Sequence, residues 1–246
     1  MKIGAIIHRI ESCPSTNDLA REMADRGAEE GTVIISKEQT KGRGTRRRTW
    51  FSAKNKGLYT SVILKPKELN ISIIPLMAVL AVKDAIFKVL RIHVELRWPN
   101  DLIWHDKKLG GILCESTFLG NQLHYIIVGI GLNLSHEKEG FPVEIRDSAT
   151  SLKLIKGEVI DESILLKNLW KALNYWYRLF CQGKVREIIR KFERYSAVSP
   201  GEKLKLITEK GDAEGIYRGI DSSGGLILEE RGSMTSYFSA EIKTVT

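Results

Sequence analysis

The segment that most constrains this chain runs from Lys37 to Trp50 and reads Lys-Glu-Gln-Thr-Lys-Gly-Arg-Gly-Thr-Arg-Arg-Arg-Thr-Trp. Between Lys41 and Arg48 it carries Lys41, Arg43, Arg46, Arg47 and Arg48 and no acidic residue. The apolar run Thr32–Ser36 leads into it and Leu58–Leu64 leaves it, so the segment is a loop held between two strands. Gly42 and Gly44 allow positive φ and a close approach of backbone to a ligand. Three readings compete: a solvated basic turn, a nucleic-acid patch that neutralises phosphates, and a pocket for a small anion. In the third, arginine offers planar forked donors to phosphate or carboxylate, and Trp50 a flat face for a purine. The glycine spacing and the tryptophan favour the third reading, since a solvated turn needs neither.

Around the loop the chain alternates strands and helices. Ile3 to Ile7 reads as a short strand. Ser15-Thr16-Asn17-Asp18 has the spacing of a capping box, followed by the helical stripe Leu19, Ala20, Met23 and Ala24 and a stop at Gly27. The alternative is that polar side chains and free amides at this helix start face a pocket. A long core helix runs from a cap at Asn70 or Ser72 to about Arg91, with Pro75 in its first turn. Val94–Trp98 is a strand ending at Pro99-Asn100-Asp101; Leu102–Trp104 and Lys108–Glu115 form a hairpin around His105-Asp106-Lys107. The pair Gly110 and Gly111 inside a strand argues for close approach of another backbone or a ligand. Leu123–Gly131 is a further strand, and helices cover 161–183 and 185–195. After Ser196-Ala-Val-Ser-Pro-Gly201 come four short strands, Lys203–Thr208, Gly215–Ile220, Gly225–Glu229 and Thr235–Ile242, which predict a small β-barrel or sandwich. The boundary falls near Val198, giving an α/β unit over 1–197 and a β unit over 198–246.

With 246 residues, 43% hydrophobic and 28% charged, the chain has the composition of an ordinary globular protein, and its formal charge of +8 suits anionic partners. Cys13, Cys114 and Cys181 stand far apart in no Cys-x-x-Cys pair, which supports neither a disulfide framework nor zinc, and fits a reducing cytoplasm. The apolar segment 71–92 is broken by charges, so no membrane span is expected. No P-loop and no Gly-x-Ser-x-Gly elbow occurs. His8, His93, His105, His124 and His136 lack metal-ligand spacing, and each reads as a surface or hydrogen-bonded histidine. Catalysis then rests on cations and amides that hold two anions together.

Ser15-Thr-Asn17, Gln39-Thr-Lys-Gly-Arg-Gly44 through Trp50, Arg97-Trp-Pro-Asn-Asp101, Lys108-Leu-Gly-Gly111 and Gly129-Ile-Gly-Leu-Asn133 resemble the successive motifs of biotin protein ligases, in order and in spacing. Together with the C-terminal unit they cover nearly the whole chain. The resemblance implies an α/β (α+β) fold, a mixed sheet with helices on one side followed by a small C-terminal β-barrel. It implies activation of biotin by ATP to biotinyl-5′-AMP, with magnesium accompanying the nucleotide through unknown ligands. Biotin then passes to a lysine of an apo biotin carboxyl carrier protein or domain. By similarity Lys108, Arg43 and Arg48 are the catalytic cations. Ser15, Thr16, Asn17, Gln39, Gly42, Arg43, Gly44, Thr45, Lys108 and Gly111 bind biotin, and Arg43, Arg48, Trp50, Asn100, Lys108 and Asn133 bind the nucleotide.

Two departures matter. The family commonly reads Gly-Arg-Gly-Arg-Arg-Gly-Arg-x-Trp, whereas this chain has Thr45 for an arginine and Arg47 for a glycine. The first motif also begins at Ser15, which leads us to expect no operator-DNA recognition, although the +8 charge could support salt-sensitive, sequence-independent binding. A homodimer stays open. The competing functions are a lipoate ligase of the same superfamily and a nucleic-acid-binding module built on the basic loop.

Overall fold

The computed structural model describes residues 2–67, 70–209 and 211–244, without the side chains of Arg47 and Thr244. In chain order the first unit comprises β1 (Ile7–Ile10), α1 (Thr16–Asp25), β2 (Val33–Ser36), β3 (Gly57–Leu64) and α2 (Ile73–Leu90). It continues with β4 (Glu95–Arg97), β5 (Asp101–Trp104), β6 (Lys107–Leu119), β7 (Gln122–Asn133), α3 (Leu152–Lys156), α4 (Glu162–Cys181) and α5 (Val185–Arg194). Its strands form one seven-stranded sheet in the order β1-β2-β3-β7-β6-β5-β4. Only β1 and β2 run parallel; every other neighbouring pair is antiparallel.

The long central strands divide their side chains by the two-residue period. On β7, Ile126, Val128, Ile130 and Leu132 join the main core under α2. Tyr125 and Ile127 pack instead with Ile63, Ile34, Ala20 and Ala24 beneath α1. So α1 covers one face of the sheet while α2, α4 and α5 are layered on the other. The expectation of helices on one side is corrected by this second cluster. It also explains why β3 is buried at all eight positions, a strand covered on both faces.

Three local expectations change as well. The first strand is Ile7–Ile10, not Ile3 to Ile7; Ile3 is 1% exposed and is clamped to α4, its N–H donating to Asn174 Oδ1 at 2.9 Å and its carbonyl accepting from Asn174 Nδ2 at 3.0 Å. Ser15 caps α1 by position without a side-chain bond, and the Asp18 carboxylate, which a capping box would return to the Ser15 N–H, is held by Arg43 instead. His136, expected at the surface or hydrogen-bonded, is 1% exposed with neither ring nitrogen bonded among the described residues. It is held by aromatic packing, stacked on Phe141 at 4.6 Å and tilted against Phe51 at 5.7 Å. Burial, reinforced by the Lys56 charge and only partly offset by the nearby Lys56 backbone, pushes it down to about 4.

Five strands follow: β8 (Lys203–Thr208), β9 (Gly211–Ile220), β10 (Leu226–Glu230), β11 (Ser233–Tyr237) and β12 (Glu241–Thr244). They form a second, antiparallel sheet in the order β11-β10-β9-β8-β12. The single strand read over Thr235–Ile242 is thus two, which pair with opposite sides of the unit, β11 with β10 and β12 with β8. Among the described residues no ladder joins β11 to β12, so the sheet stays open where a barrel would close. Trp98 Nε1 donates to the Gly224 carbonyl at 2.9 Å, and Ser72 Oγ to that of Ser223 at 2.5 Å, tying this sheet to the first unit.

Candidate active site

The site lies on the α1 face of the large sheet, where side chains are missing by design of the sequence. Gly131 on β7 sits between Tyr59 of β3 and Gly111 of β6, and Gly111 in turn pairs with Asp101 of β5. The next row is Ser61, Gly129 and Leu113. The alternate residues Ile130 and Leu132 point into the core, so the strand is apolar below and bare above. The bareness is needed. A Cβ on Gly131 would stand 2.6 Å from the Trp50 ring, and one on Gly129 would collide with Asn17 Oδ1. Gly111 leaves room for Lys108, whose Nζ lies 3.6 Å from the position a Cβ would take.

The start of α1 walls this floor. Ser15, Thr16 and Asn17 are each 3% exposed, and their polar atoms converge inward. Thr16 N–H donates to Gln39 Oε1 at 2.8 Å, and Gln39 Nε2 donates to Ser52 Oγ at 2.9 Å. Ser61 Oγ lies 2.7 Å from Thr16 Oγ1 and 2.6 Å from Asn17 Oδ1. Asn17 Nδ2 donates to Glu115 Oε2 at 2.6 Å. This rigid polar lattice fits a small neutral head group with donors and acceptors on its rim.

The basic loop closes over the other side. Gly44 N–H donates to the Arg48 carbonyl at 2.8 Å and Trp50 N–H to that of Gly42 at 2.9 Å. Arg46 adopts φ 56° between these bonds. The three expected catalytic cations are each matched to a carboxylate outside the set of expected site residues. Arg43 forks onto Asp18, Nη1 to Oδ2 at 2.8 Å and Nη2 to Oδ1 at 2.7 Å, and lies 3.4 Å from Glu115. That guanidinium holds the Asp18 carboxyl below the usual carboxylate range, and the same fork raises Arg43. Lys108 Nζ donates to Asp101 Oδ2 at 2.7 Å, while Asp101 Oδ1 is buried without a partner among the described residues. Arg48 pairs with Glu241 of β12. The Arg47 side chain, an expected departure from the family pattern, lies outside the described residues.

Two adjoining cavities result. The inner, smaller one is lined by Ser15, Thr16, Asn17, Gln39, Arg43 and Gly111. The outer one, about 320 Å³, is lined by Arg46, Arg48, Phe51, Asn133, Phe141 and Glu241. Gly44, Thr45, Trp50, Asn100, Asp101 and Lys108 line both. The structure therefore gathers every expected site residue at the cavity walls except Gly42. Gly42 is buried beneath the loop, where a Cβ would meet the Trp50 carbonyl at 2.5 Å and Ser52 Oγ at 2.6 Å. Asn100 and Asn133 each commit an amide N–H to backbone, to Ile112 at 2.6 Å and Thr150 at 2.9 Å, which fixes the orientation of what remains. Lys108 is pinned through its backbone as well, its N–H donating to the Ser148 carbonyl at 2.7 Å. Its ammonium stands 5.7 Å from the Trp50 ring centroid. Chemically, two ligands can lie end to end with one ammonium at their junction.

A family model described as the biotin/lipoate A/B protein ligase family matches residues 9–133. A bifunctional ligase/repressor BirA of Bacillus spizizenii is 33% identical over 232 residues, covering 93% of this chain and 71% of the relative. The chain belongs to the biotin/lipoate protein ligase family. Another relative, the biotin--[acetyl-CoA-carboxylase] ligase of Paracoccus denitrificans, is 31% identical over 222 residues, 87% of this chain and 90% of that one. Among solved structures, the biotin protein ligase of Aquifex aeolicus in complex with biotin and ATP matches with a TM-score of 0.85 at 30% identity, covering 98% of this chain and 100% of that one. The stretch matched to the ligase family contains all the expected site residues, from Ser15 to Asn133, whereas Glu241 falls beyond it.

Proposed function

We infer that this chain is an ATP-dependent biotin protein ligase: it joins biotin and ATP into biotinyl-5′-AMP and transfers biotin to a lysine of a carrier protein. The observation that carries the reading is Lys108 at the wall shared by two adjoining cavities, one polar and small, one large and aromatic. A relative and a solved neighbour that are named biotin ligases favour biotin over lipoate.

In this proposal the biotin head group occupies the lattice of Ser15, Thr16, Asn17 and Gln39, with Gly111 and the Gly44-Thr45 turn around its chain. The nucleotide occupies the outer cavity, the base near Trp50 and the ribose and phosphates near Asn100, Asn133 and Arg48. A biotin carboxylate oxygen attacks the α-phosphorus, the bond to the β-phosphate oxygen breaks, and pyrophosphate leaves with its electron pair. Both reactants are anionic, so the barrier is largely repulsion, and Lys108 and Arg43 offset it by facing carboxylate and phosphate together. No side chain need transfer a proton in that step. The carrier amine then attacks the acyl carbon and AMP departs.

Magnesium enters this proposal only as the companion of ATP. Among the described residues no cluster of three or more His, Cys, Asp or Glu could hold a metal by itself. We place the division between the two units near Val198, supported by β8–β12 pairing, among the described residues, only with one another. A cytoplasmic location is proposed from Cys13, Cys114 and Cys181, which stand far apart in sequence in no Cys-x-x-Cys pair. The deciding experiment incubates the protein with magnesium, ATP and either biotin or lipoate and seeks the acyl-adenylate by mass spectrometry. Biotinyl-5′-AMP is expected; a lipoyl product alone would overturn the assignment.

A further inference from the structure

On the far side of the molecule from the active site, α4 presents a second basic feature that adenylate chemistry does not use. Lys167, Trp170, Lys171, Tyr175 and Arg178 recur at helical spacing and, with Lys2, line a cleft of about 560 Å³ between α4 and the N-terminal segment. No carboxylate lines it. Among the described residues none of its four cations forms an ion pair, whereas fourteen ion pairs are made elsewhere, down to exposed ones such as Lys203 with Glu214.

The cleft is held in shape. Asn174 takes both the N–H and the carbonyl of Ile3, at 2.9 and 3.0 Å, and fixes the wall opposite the helix. Gly4 lies on the Trp170 ring at φ 82°, where a Cβ would stand 3.0 Å from Cγ. Tyr175 remains 43% exposed, seated edge-on against Trp176 at 5.2 Å with the Arg178 guanidinium 5.8 Å from its ring centroid. The distance from Lys167 to Arg178 along the helix is about 16 Å, roughly the length of five stacked nucleotides.

We propose that this cleft binds single-stranded nucleic acid, with phosphates on Lys2, Lys167, Lys171 and Arg178 and a base stacked on Tyr175. Unpaired cations interleaved with an open aromatic ring suit a polynucleotide, because each nucleotide brings one charge and one flat face. An acidic protein surface would use the charges and leave the ring idle. The carrier protein is a poor occupant: α4 packs on α2, on the sheet face opposite α1, so a lysine delivered to the active site is presented from the other side. Recognition through phosphate and stacking carries no sequence preference, which distinguishes it from reading an operator.

The test is fluorescence anisotropy with a fluorescein-labelled, mixed-sequence single-stranded DNA of about 12 nucleotides, titrated with the full chain at several salt concentrations. Four phosphate contacts predict a log–log salt slope near −3, at about 0.7 per contact. Lys167→Ala/Lys171→Ala should weaken binding at least tenfold and flatten the slope by about 1.4. Tyr175→Ala should cost at least about fivefold with the slope unchanged. Biotinyl-adenylate formation by these variants should equal wild type, which also shows that they fold. Three results would overturn the proposal: no binding, loss of binding on Arg48→Ala but not on Lys167→Ala/Lys171→Ala, or polyglutamate competing as well as the oligonucleotide while Tyr175→Ala has no effect. The first removes the site, the second moves it to the basic loop, and the third gives it to an acidic protein.

Discussion

The two faces of β7 do different work with the same dozen residues. On one face Ile126, Val128, Ile130 and Leu132 are at most 2% exposed and fill the core beneath α2. On the other, Gly129, Gly131 and Asn133 leave a bare floor for Asn17, Trp50 and the cavities. Period-two geometry makes the separation possible, since neighbouring residues never share a face. Stability and catalysis should therefore be separable by substitutions only one residue apart, or on facing strands.

The strongest way to break that comparison is a pair of variants. Lys108→Ala should lower the single-turnover rate of adenylate formation on the order of a hundredfold or more with little change in biotin affinity, because its ammonium meets charge that redistributes only in the transition state. Its melting temperature should stay near wild type. Ile130→Ala, on the opposite face, should cost about 2–5 kcal/mol of stability through the cavity it leaves, while its folded fraction turns over normally. A destabilised Lys108→Ala, or a folded but inactive Ile130→Ala, would show that the faces are coupled.

His136 is the exception, a residue on the site side that behaves as core. Its ring titrates near 6.5 when unfolded and near 4 when folded. Above 6.5 both states are neutral, and the full stability is present. Between 6.5 and 4 the unfolded chain binds a proton that the fold excludes, so stability falls as pH falls, by at most about 3 kcal/mol for such a gap. At pH 5 the loss should be about 2 kcal/mol. His136→Phe keeps the stack between Phe51 and Phe141 and removes two unbonded nitrogens. It should be at least as stable as wild type at pH 7.5 and lose less on going to pH 5, as read from denaturant midpoints. Equal losses in the two proteins would sink the argument.

His136 also marks where the sequence stopped being legible. The alternating strand at 123–131, the long helix to Arg91 and the glycine pair at 110–111 were all readable, because period and missing side chains are local signals. The motif residues were likewise readable, since each is short and contiguous. The counter-charges were not. Asp18 reaches Arg43 across 25 positions, Asp101 reaches Lys108 across a hairpin, and Glu241 reaches Arg48 across 193. Nothing local tells such a carboxylate from a solvated one. Asp18 was in fact claimed by a local rule, the capping box, and lost to a fork with arginine. The one-sided placement of helices failed for a related reason: the α1 stripe shows that it is buried, not against which face. The open C-terminal ladder rests on pairing between strands distant in sequence, which strand propensity does not encode.

Gly131→Ala tests the floor itself at smaller amplitude. The added methyl would displace the Trp50 ring, which lines both cavities, without entering the core. Adenylate formation should slow by about tenfold, mostly as a higher KM for ATP, with the melting temperature shifted far less than in Ile130→Ala. Normal ATP kinetics would show that Trp50 can move aside freely.

The smallest expected effect concerns the two units rather than the two faces. Arg48 and Glu241 are 55% and 39% exposed, so their ion pair should contribute less than about 1 kcal/mol to stability. Its importance lies in competition, because a guanidinium engaged by Glu241 must partly give up that carboxylate to face an ATP phosphate. Glu241→Gln should thus lower the KM for ATP, by up to about fivefold at low ionic strength, and the gain should fade as salt screens the exposed pair. Arg48→Ala should raise KM, and adding Glu241→Gln to it should change nothing further, since the carboxylate then has no cation to withhold. If Glu241→Gln instead weakens ATP binding, β12 aims Arg48 at the nucleotide rather than competing for it, and the C-terminal sheet becomes part of the binding surface.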